Sequence, residues 1–204
     1  MNYYLRSYTR GDDSKAIALT FDDGPGSETA AILDILKEQS VPAAFFSIGK
    51  NVTAERELVK RIDAEGHIVG NHSYNHGVSF DWLTATRMEQ ELIQTNEVIK
   101  STIGKEPKLF RPPYGVTNPN LAKAVKRTGM YSIGWSVRSF DTTTKSSAFL
   151  VGRILNSIKG GDIVLLHDTM PLTREILIEL IMRIRQKGFI FVRVDKLLDI
   201  NAYA

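Results

Sequence analysis

Ala16-Ile17-Ala18-Leu19-Thr20-Phe21-Asp22-Asp23-Gly24-Pro25-Gly26 is the stretch on which the fold of this chain turns. Residues 16–21 are β-prone and almost wholly apolar, so they read as a buried strand. Two carboxylates and a Gly-Pro-Gly turn then end it abruptly. Working outward, short runs of the same kind recur at 43–48, 67–71, 109–111, 131–136, 162–166 and 189–193, which makes seven candidate strands. Between them lie segments with a 3.6-residue apolar period, near 28–39, 55–65, 84–103, 119–128, 150–158 and 177–184. Asn118-Pro119 reads as an N-cap followed by proline at the first helical position. Gly129, Gly160-Gly161 and Gly188 read as helix ends. Residues 195–204 are expected to form a short helical tail.

Strands that alternate with helices imply parallel strands joined by right-handed crossovers. Seven repeats suit a barrel, closed or incomplete, about as well as an open sheet. The expectation carried forward is α/β: a distorted, seven-stranded (β/α) barrel with parallel strands. It would form a single catalytic domain over residues 1–204, with 1–15 as an N-terminal extension and 195–204 as a C-terminal tail.

At 204 residues the chain suits one domain, and 43% hydrophobic with 24% charged residues is the composition of a globular protein. The net charge of +3 is spread among acids and bases without a basic stripe, so nucleic acid is not the expected partner. No apolar run approaches the roughly 20 residues of a membrane span. Residues 1–15 carry Arg6, Arg10, Asp12 and Asp13 and do not read as a secretory signal. With no cysteine, thiolate catalysis is excluded, and any metal must be held by His, Asp or Glu.

Chemically capable residues fall just past the carboxyl ends of different strands. Asp22 and Asp23 follow the first, His72 and His76 the third, Arg111 the fourth, Asp141 lies beyond the fifth, and His167 ends the sixth. In a parallel barrel those ends form one rim, where active sites are built. Asp22-Asp23 alone is as easily a turn as a site. At the end of a buried strand, however, two adjacent carboxylates repel unless a cation or proton joins them. His72 and His76 are four apart and suited to a divalent ion, although that spacing by itself is weak evidence. His67, at a strand start, reads as structural. Arg111-Pro112-Pro113-Tyr114-Gly115 is either simply a rigid loop, or a rigid loop that holds Arg111 against a carboxylate and offers the Tyr114 N–H to an oxyanion. His167 is either a core histidine or a proton donor with a pKa near working pH.

In order and spacing, Thr20-Phe21-Asp22-Asp23-Gly24-Pro25, His72-Ser73-Tyr74-Asn75-His76, Arg111-Pro112-Pro113-Tyr114 and Leu165-Leu166-His167 resemble the motifs of the polysaccharide deacetylases of carbohydrate esterase family 4, the NodB homology domain. The resemblance spans about 16–193. It implies a metal-dependent hydrolase removing acetyl groups from N-acetylglucosamine-type units of a glycan such as peptidoglycan, chitin or an exopolysaccharide. Asp23, His72 and His76 would be ligands of a divalent metal, zinc first, with cobalt or another ion as substitutes. Asp22 would be the general base, Arg111 its bidentate orienting partner, the Tyr114 N–H an oxyanion donor and His167 the acid. The partner would be an acetylated glycan. The location would be the cell envelope or outside if a signal had been removed, and otherwise the cytoplasm.

One motif departs from the family pattern. The family stretch after the fifth strand carries an acid, two further residues, Asp and then Trp, whereas this chain has Arg138-Ser139-Phe140-Asp141-Thr142. Asp141 survives. Arg138 replaces a carboxylate that helps tune the arginine and base, and would either alter the pKa of the base or turn elsewhere; Thr142 removes an aromatic that would help line the acetyl pocket. Three rival readings are an O-acetyl esterase on xylan-like glycans, a glycan-binding relative without turnover, and a non-haem iron site, the last leaving Asp22 and His167 unexplained.

Overall fold

The computed structural model describes residues 4–204. In chain order the strands and helices are β1 (Ser7–Tyr8), β2 (Ala16–Asp22), α1 (Thr29–Glu38), β3 (Ala43–Ser47), α2 (Gly49–Ala54), α3 (Arg56–Ala64), β4 (Ile68–Asn71), α4 (Ala85–Ile103), β5 (Leu109–Phe110), α5 (Pro119–Thr128), β6 (Tyr131–Ile133), β7 (Val137–Arg138), α6 (Ser147–Ser157), β8 (Ile163–His167), α7 (Pro171–Gln186), β9 (Ile190–Phe191) and α8 (Val194–Leu198). The ladder runs β1-β6-β5-β4-β3-β2-β8-β7, with β9 on the lower end of β2, and every strand pairing is parallel. Among the described residues no ladder joins β7 to β1, so the (β/α) barrel is open on that side.

Strand alternation sorts the side chains of β2, β3 and β8 into two cores, and a third cluster gathers Phe110 of β5 with Met88, Leu92 and Leu121 of the helices. Ile17, Leu19 and Phe21 of β2, Phe45 of β3 and Val164 and Leu166 of β8 face outward and pack under Ile32, Leu36, Ile154 and Leu180 of the helices. Ala16, Ala18, Ala44, Phe46, Ile68, Leu109 and Ile163 face inward. Val194, Leu197 and Ala202 close the bottom of that inner cluster. Removing any one of the fully buried leucines to alanine would cost about 2–5 kcal/mol. By the same two-residue period, Thr20 and Asp22 point inward at the top of β2, and Leu165 and His167 at the top of β8.

The observed elements depart from the sequence reading in four places. Residues 7–8 lie within the stretch read as an extension, yet they form β1, paired with Ser132 and Ile133; residues 1–3 fall outside the described residues. The run at 131–136 is not one strand: β6 ends before Gly134, and the chain re-enters the sheet as β7 against β8 instead of β5. The tail is helical only over α8; beyond it Tyr203 pairs with Pro107 and its hydroxyl accepts the Val69 N–H at 2.9 Å. An extra helix, α2, precedes α3. β1 lies in a stretch without an apolar run and β7 follows directly on the run at 131–136, so neither stands out in the sequence as a strand of its own. Both caps of α5 are observed: the Asn118 side chain accepts the Leu121 N–H at 2.9 Å, and Gly129 takes φ 66°; α6, by contrast, ends at Ser157 with Ile158 as its cap, before Gly160-Gly161.

Candidate active site

Asp22 sits at the last position of β2 and faces the barrel interior. The next residue leaves the strand in a left-handed conformation, with Asp23 at φ 74°. That turn puts both carboxylates on the rim, where plain alternation would have sent the second outward. A non-glycine residue there costs of order 1–3 kcal/mol. The cost is met by the bonds that anchor the turn: Asn51 Nδ2 donates to the Asp23 carbonyl at 2.9 Å, and the Ile48 N–H to the Gly24 carbonyl at 2.9 Å.

His72 and His76 approach from the loop after β4. Glu91, on α4, holds this loop by accepting the N–H groups of Tyr74 and Asn75 at 2.9 and 2.8 Å, and the Asn75 amide at 2.6 Å. Glu91 was not marked in the sequence, where it reads as ordinary helix surface. The His72 Nδ1–H donates to the Arg111 carbonyl at 2.8 Å, which fixes the tautomer and leaves Nε2 with a free lone pair. Asp23 Oδ1 lies 3.4 Å from both His72 Nε2 and His76 Nε2.

That geometry is the test of whether a metal fits. Ligands about 2.0–2.1 Å from a tetrahedral ion stand about 3.3–3.4 Å from one another. The spacing to Asp23 matches, and one ligand atom from each of Asp23, His72 and His76 falls within 4.8 Å of the others. Their charge state matches as well. Burial alone would raise the Asp23 carboxyl, but His72, His76 and His167 override it and hold it down to about 2. Burial pushes the His76 imidazole downward, favouring the neutral, ligating form.

Arg111 is fully buried beneath the rim. Nη1 donates to Asp22 Oδ1 at 2.7 Å and to Thr20 Oγ1 at 2.7 Å; Nη2 donates to the Gly134 carbonyl at 2.9 Å and Nε to the Ile133 carbonyl at 3.2 Å. The expected bidentate pairing with Asp22 is therefore not formed, because the second edge of the guanidinium is taken by the backbone where β6 ends. Phe46 lies under the guanidinium, 4.2 Å from its carbon to the ring centroid. Those partners engage four of the five N–H donors of Arg111 without the carboxylate that position 138 lacks.

Tyr114 has φ 56° in the 3-10 turn Pro113–Gly115, and its N–H has no acceptor among the described residues. Its ring packs 4.7 Å from His76. On the opposite wall, the His167 ring donates from Nδ1 to Asp141 Oδ1 at 2.8 Å and turns Nε2 toward Asp23 Oδ2, 3.9 Å away. Burial would lower the His167 pKa, but Asp141 reverses that and raises it above its ordinary value. The structure thus brings Asp22, Asp23, His72, His76, Tyr114 and His167 to one pocket of about 180 Å³, with Arg111 beneath and Asp141 behind. His67 stands apart, its Nδ1 accepting the Ala43 N–H at 3.1 Å.

Two positions of the altered motif take a definite place in the structure. Thr142 does line the pocket, but an aromatic is still present: Trp135, from the segment between β6 and β7, lines it together with Leu165. Arg138 does not reach Asp22; it lies on the pocket wall with its guanidinium 4.7 Å from the Phe140 ring centroid.

Fold and rim together define a parallel (β/α) half-barrel with its polar machinery gathered at the carboxyl ends of the strands. Residues 9–133 match the family model described as polysaccharide deacetylase, and the chain belongs to that family. It is similar to the peptidoglycan-N-acetylglucosamine deacetylase PgdA of Listeria monocytogenes, at 35% identity over 185 residues, covering 90% of this chain and 39% of that protein. It is also similar to the peptidoglycan-N-acetylmuramic acid deacetylase PdaA of Bacillus subtilis, at 33% identity over 200 residues, covering 96% and 76% respectively. Among solved structures, the Bc1960 peptidoglycan N-acetylglucosamine deacetylase in complex with 4-naphthalen-1-yl-N-oxidanyl-benzamide superposes with a TM-score of 0.92 at 30% identity, covering 97% of this chain and 95% of that one. The chain thus spans about two fifths of the length of the Listeria relative. No helix among the described residues is long and apolar enough to cross a membrane.

Proposed function

We propose that this chain is a metal-dependent deacetylase that hydrolyses the N-acetyl group of glucosamine-type units in a bacterial glycan of the peptidoglycan class. The observation that carries the reading is the position of Asp23 Oδ1, 3.4 Å from two imidazole nitrogens, with Asp22 and His167 flanking the same point. Asp23, His72 and His76 would hold a divalent ion, zinc before cobalt, which when bound polarises the acetyl carbonyl and acidifies water. Asp22 takes the proton of the attacking water, and Arg111 keeps its carboxylate aimed. The Tyr114 N–H stabilises the oxyanion that develops on the carbonyl oxygen. His167 gives its proton to the leaving amine, held in the donating state by Asp141. Trp135 and Leu165 form the apolar wall against which the acetyl methyl packs.

The test is acetate release from an acetylated glucosamine oligomer by the wild-type protein and by Asp22→Asn, with and without chelator. Release that needs both Asp22 and metal is the expected result. An ester panel run beside the amides reads out the O-acetyl esterase alternative. Glycan binding without acetate release from any substrate overturns the hydrolytic reading.

A further inference from the structure

Among the described residues, Arg138 is the one cation on the pocket wall that the deacetylation chemistry above does not use. Strand β7 pairs Val137 with Val164 and Arg138 with Leu165. The first pair is buried toward the helices. The second therefore faces the other way, and both Arg138 and Leu165 line the pocket. Arg138 is exposed there, and among the described residues no carboxylate pairs with it.

The nearby acids are engaged elsewhere. Asp22 is held by Arg111, Asp141 by His167, and Asp23 by the two imidazoles. Phe140 supports the Arg138 guanidinium, and Arg153 comes within 4.2 Å of the same ring centroid and donates from Nε to the Arg138 carbonyl at 3.4 Å. Two guanidinium groups thus share one aromatic ring, Arg138 on the pocket wall and Arg153 away from it, and among the described residues neither has a carboxylate partner. An N-acetylated sugar without other substituents is neutral and offers nothing to balance them. An exposed, stacked guanidinium suits a carboxylate, which it can accept through two parallel N–H donors.

We propose that Arg138 is a specificity residue that recognises a carboxylate carried by the substrate glycan, on the reacting N-acetyl sugar or on its neighbour. Neutral N-acetylglucosamine chains would then be the poorer substrates. This inference rests on the deacetylase reading for its rate measurement but not for its binding measurement.

The experiment compares wild type with Arg138→Gln on matched oligomers. One is a neutral N-acetylglucosamine tetramer; a second has N-acetylmuramic acid at alternate positions; a third is the second with its lactyl carboxylates converted to amides; a fourth carries uronic acid neighbours. Binding is followed by calorimetry and turnover by acetate release. For the wild type, the carboxylate oligomer is expected to exceed its amide counterpart by about tenfold in Kd and in kcat/KM, as a charge-assisted contact supplies. That ratio should fall close to one in Arg138→Gln and shrink with added salt. The muramic and uronic arms identify where the carboxylate sits. Equal preference for acid and amide forms in the wild type, or an unchanged ratio in the variant, overturns the proposal. Absence of acetate release from every oligomer would defeat the deacetylase reading instead, while the binding ratio would still decide the role of Arg138.

Discussion

Asp141 holds His167 at two points: Oδ1 accepts the ring Nδ1–H at 2.8 Å, and Oδ2 accepts the backbone N–H of the same residue at 2.7 Å. Ser139 and Thr173 occupy the remaining lone pairs at 2.9 and 2.6 Å, so the carboxylate is fixed in place, and burial of Asp141 is offset by these donors, which keep it ionised. The imidazole is thereby oriented by both its ring and its own backbone.

The first prediction follows from the sign of that contact. A histidine that acts as an acid works while protonated, so activity is present below its pKa and is lost as the pH rises through it. Asp141 raises the His167 pKa against burial, which pulls the other way. Asp141→Asn removes the charge, leaves burial to prevail, and should move the alkaline limb of the rate profile to lower pH. At pH 8 amide turnover should fall by about 10²-fold, with a smaller loss on aryl esters whose leaving group needs no proton. An alkaline limb unmoved by the substitution, or equal losses on both substrates, would count against His167 as the acid.

Metal removal is the second. His72→Ala or His76→Ala should abolish stoichiometric zinc binding, measured by elemental analysis after dialysis, and reduce acetate release to background. The fold should survive, because the cradle sits on a rim above two cores that contain none of its ligands. Near-native circular dichroism of the chelated protein is the expected observation. Unfolding on chelation would make the ion structural.

How far the sequence could be read depended on the size of each signal. Strands of four to seven residues such as β2, β3, β4 and β8 announce themselves by composition, and the residues at their carboxyl ends converge as a parallel barrel requires. β1, in a polar stretch, and β7, directly after the run at 131–136, do not, and without β7 the sequence hides which way Arg138 faces. Asp141 was picked out by motif, but its hold on His167, 26 positions away, has no sequence signature. Nor does the backbone: Arg111 seemed free for a bidentate pair only because the Ile133 and Gly134 carbonyls are invisible in a string of side chains. Trp135 replaces the expected aromatic from a neighbouring strand end, a substitution in space and not in register.

A third prediction tests that arginine. Lys in place of Arg111 keeps the charge and can reach Asp22, yet cannot also donate to both carbonyls, leaving buried acceptors unpaired in a fully enclosed site. Arg111→Lys should lose about 2–4 kcal/mol of stability by urea titration. It should also lower kcat more than it raises KM, since it disturbs the aim of Asp22. Wild-type stability in the variant would mean that the carbonyl contacts contribute nothing.

The last prediction concerns stability away from the rim. His67 accepts the Ala43 N–H at Nδ1, and its Nε2 is buried with no hydrogen-bond partner among the described residues. Burial pushes its pKa down from 6.5 to about 4, only partly opposed by Glu65. The folded protein therefore keeps this imidazole neutral while the unfolded chain takes up a proton, so between those two values the unfolded state binds more protons and stability rises with pH. The contribution is complete above about pH 6.5 and is lost as the pH falls toward 4, amounting to about 3 kcal/mol at most. His67→Gln keeps an acceptor for Ala43 but does not titrate. Its unfolding free energy should be lower than wild type at pH 7.5 and should lose less on going to pH 4.5, so the two curves converge in acid. Parallel curves for the two proteins across that range would show that His67 titrates alike in the folded and unfolded states.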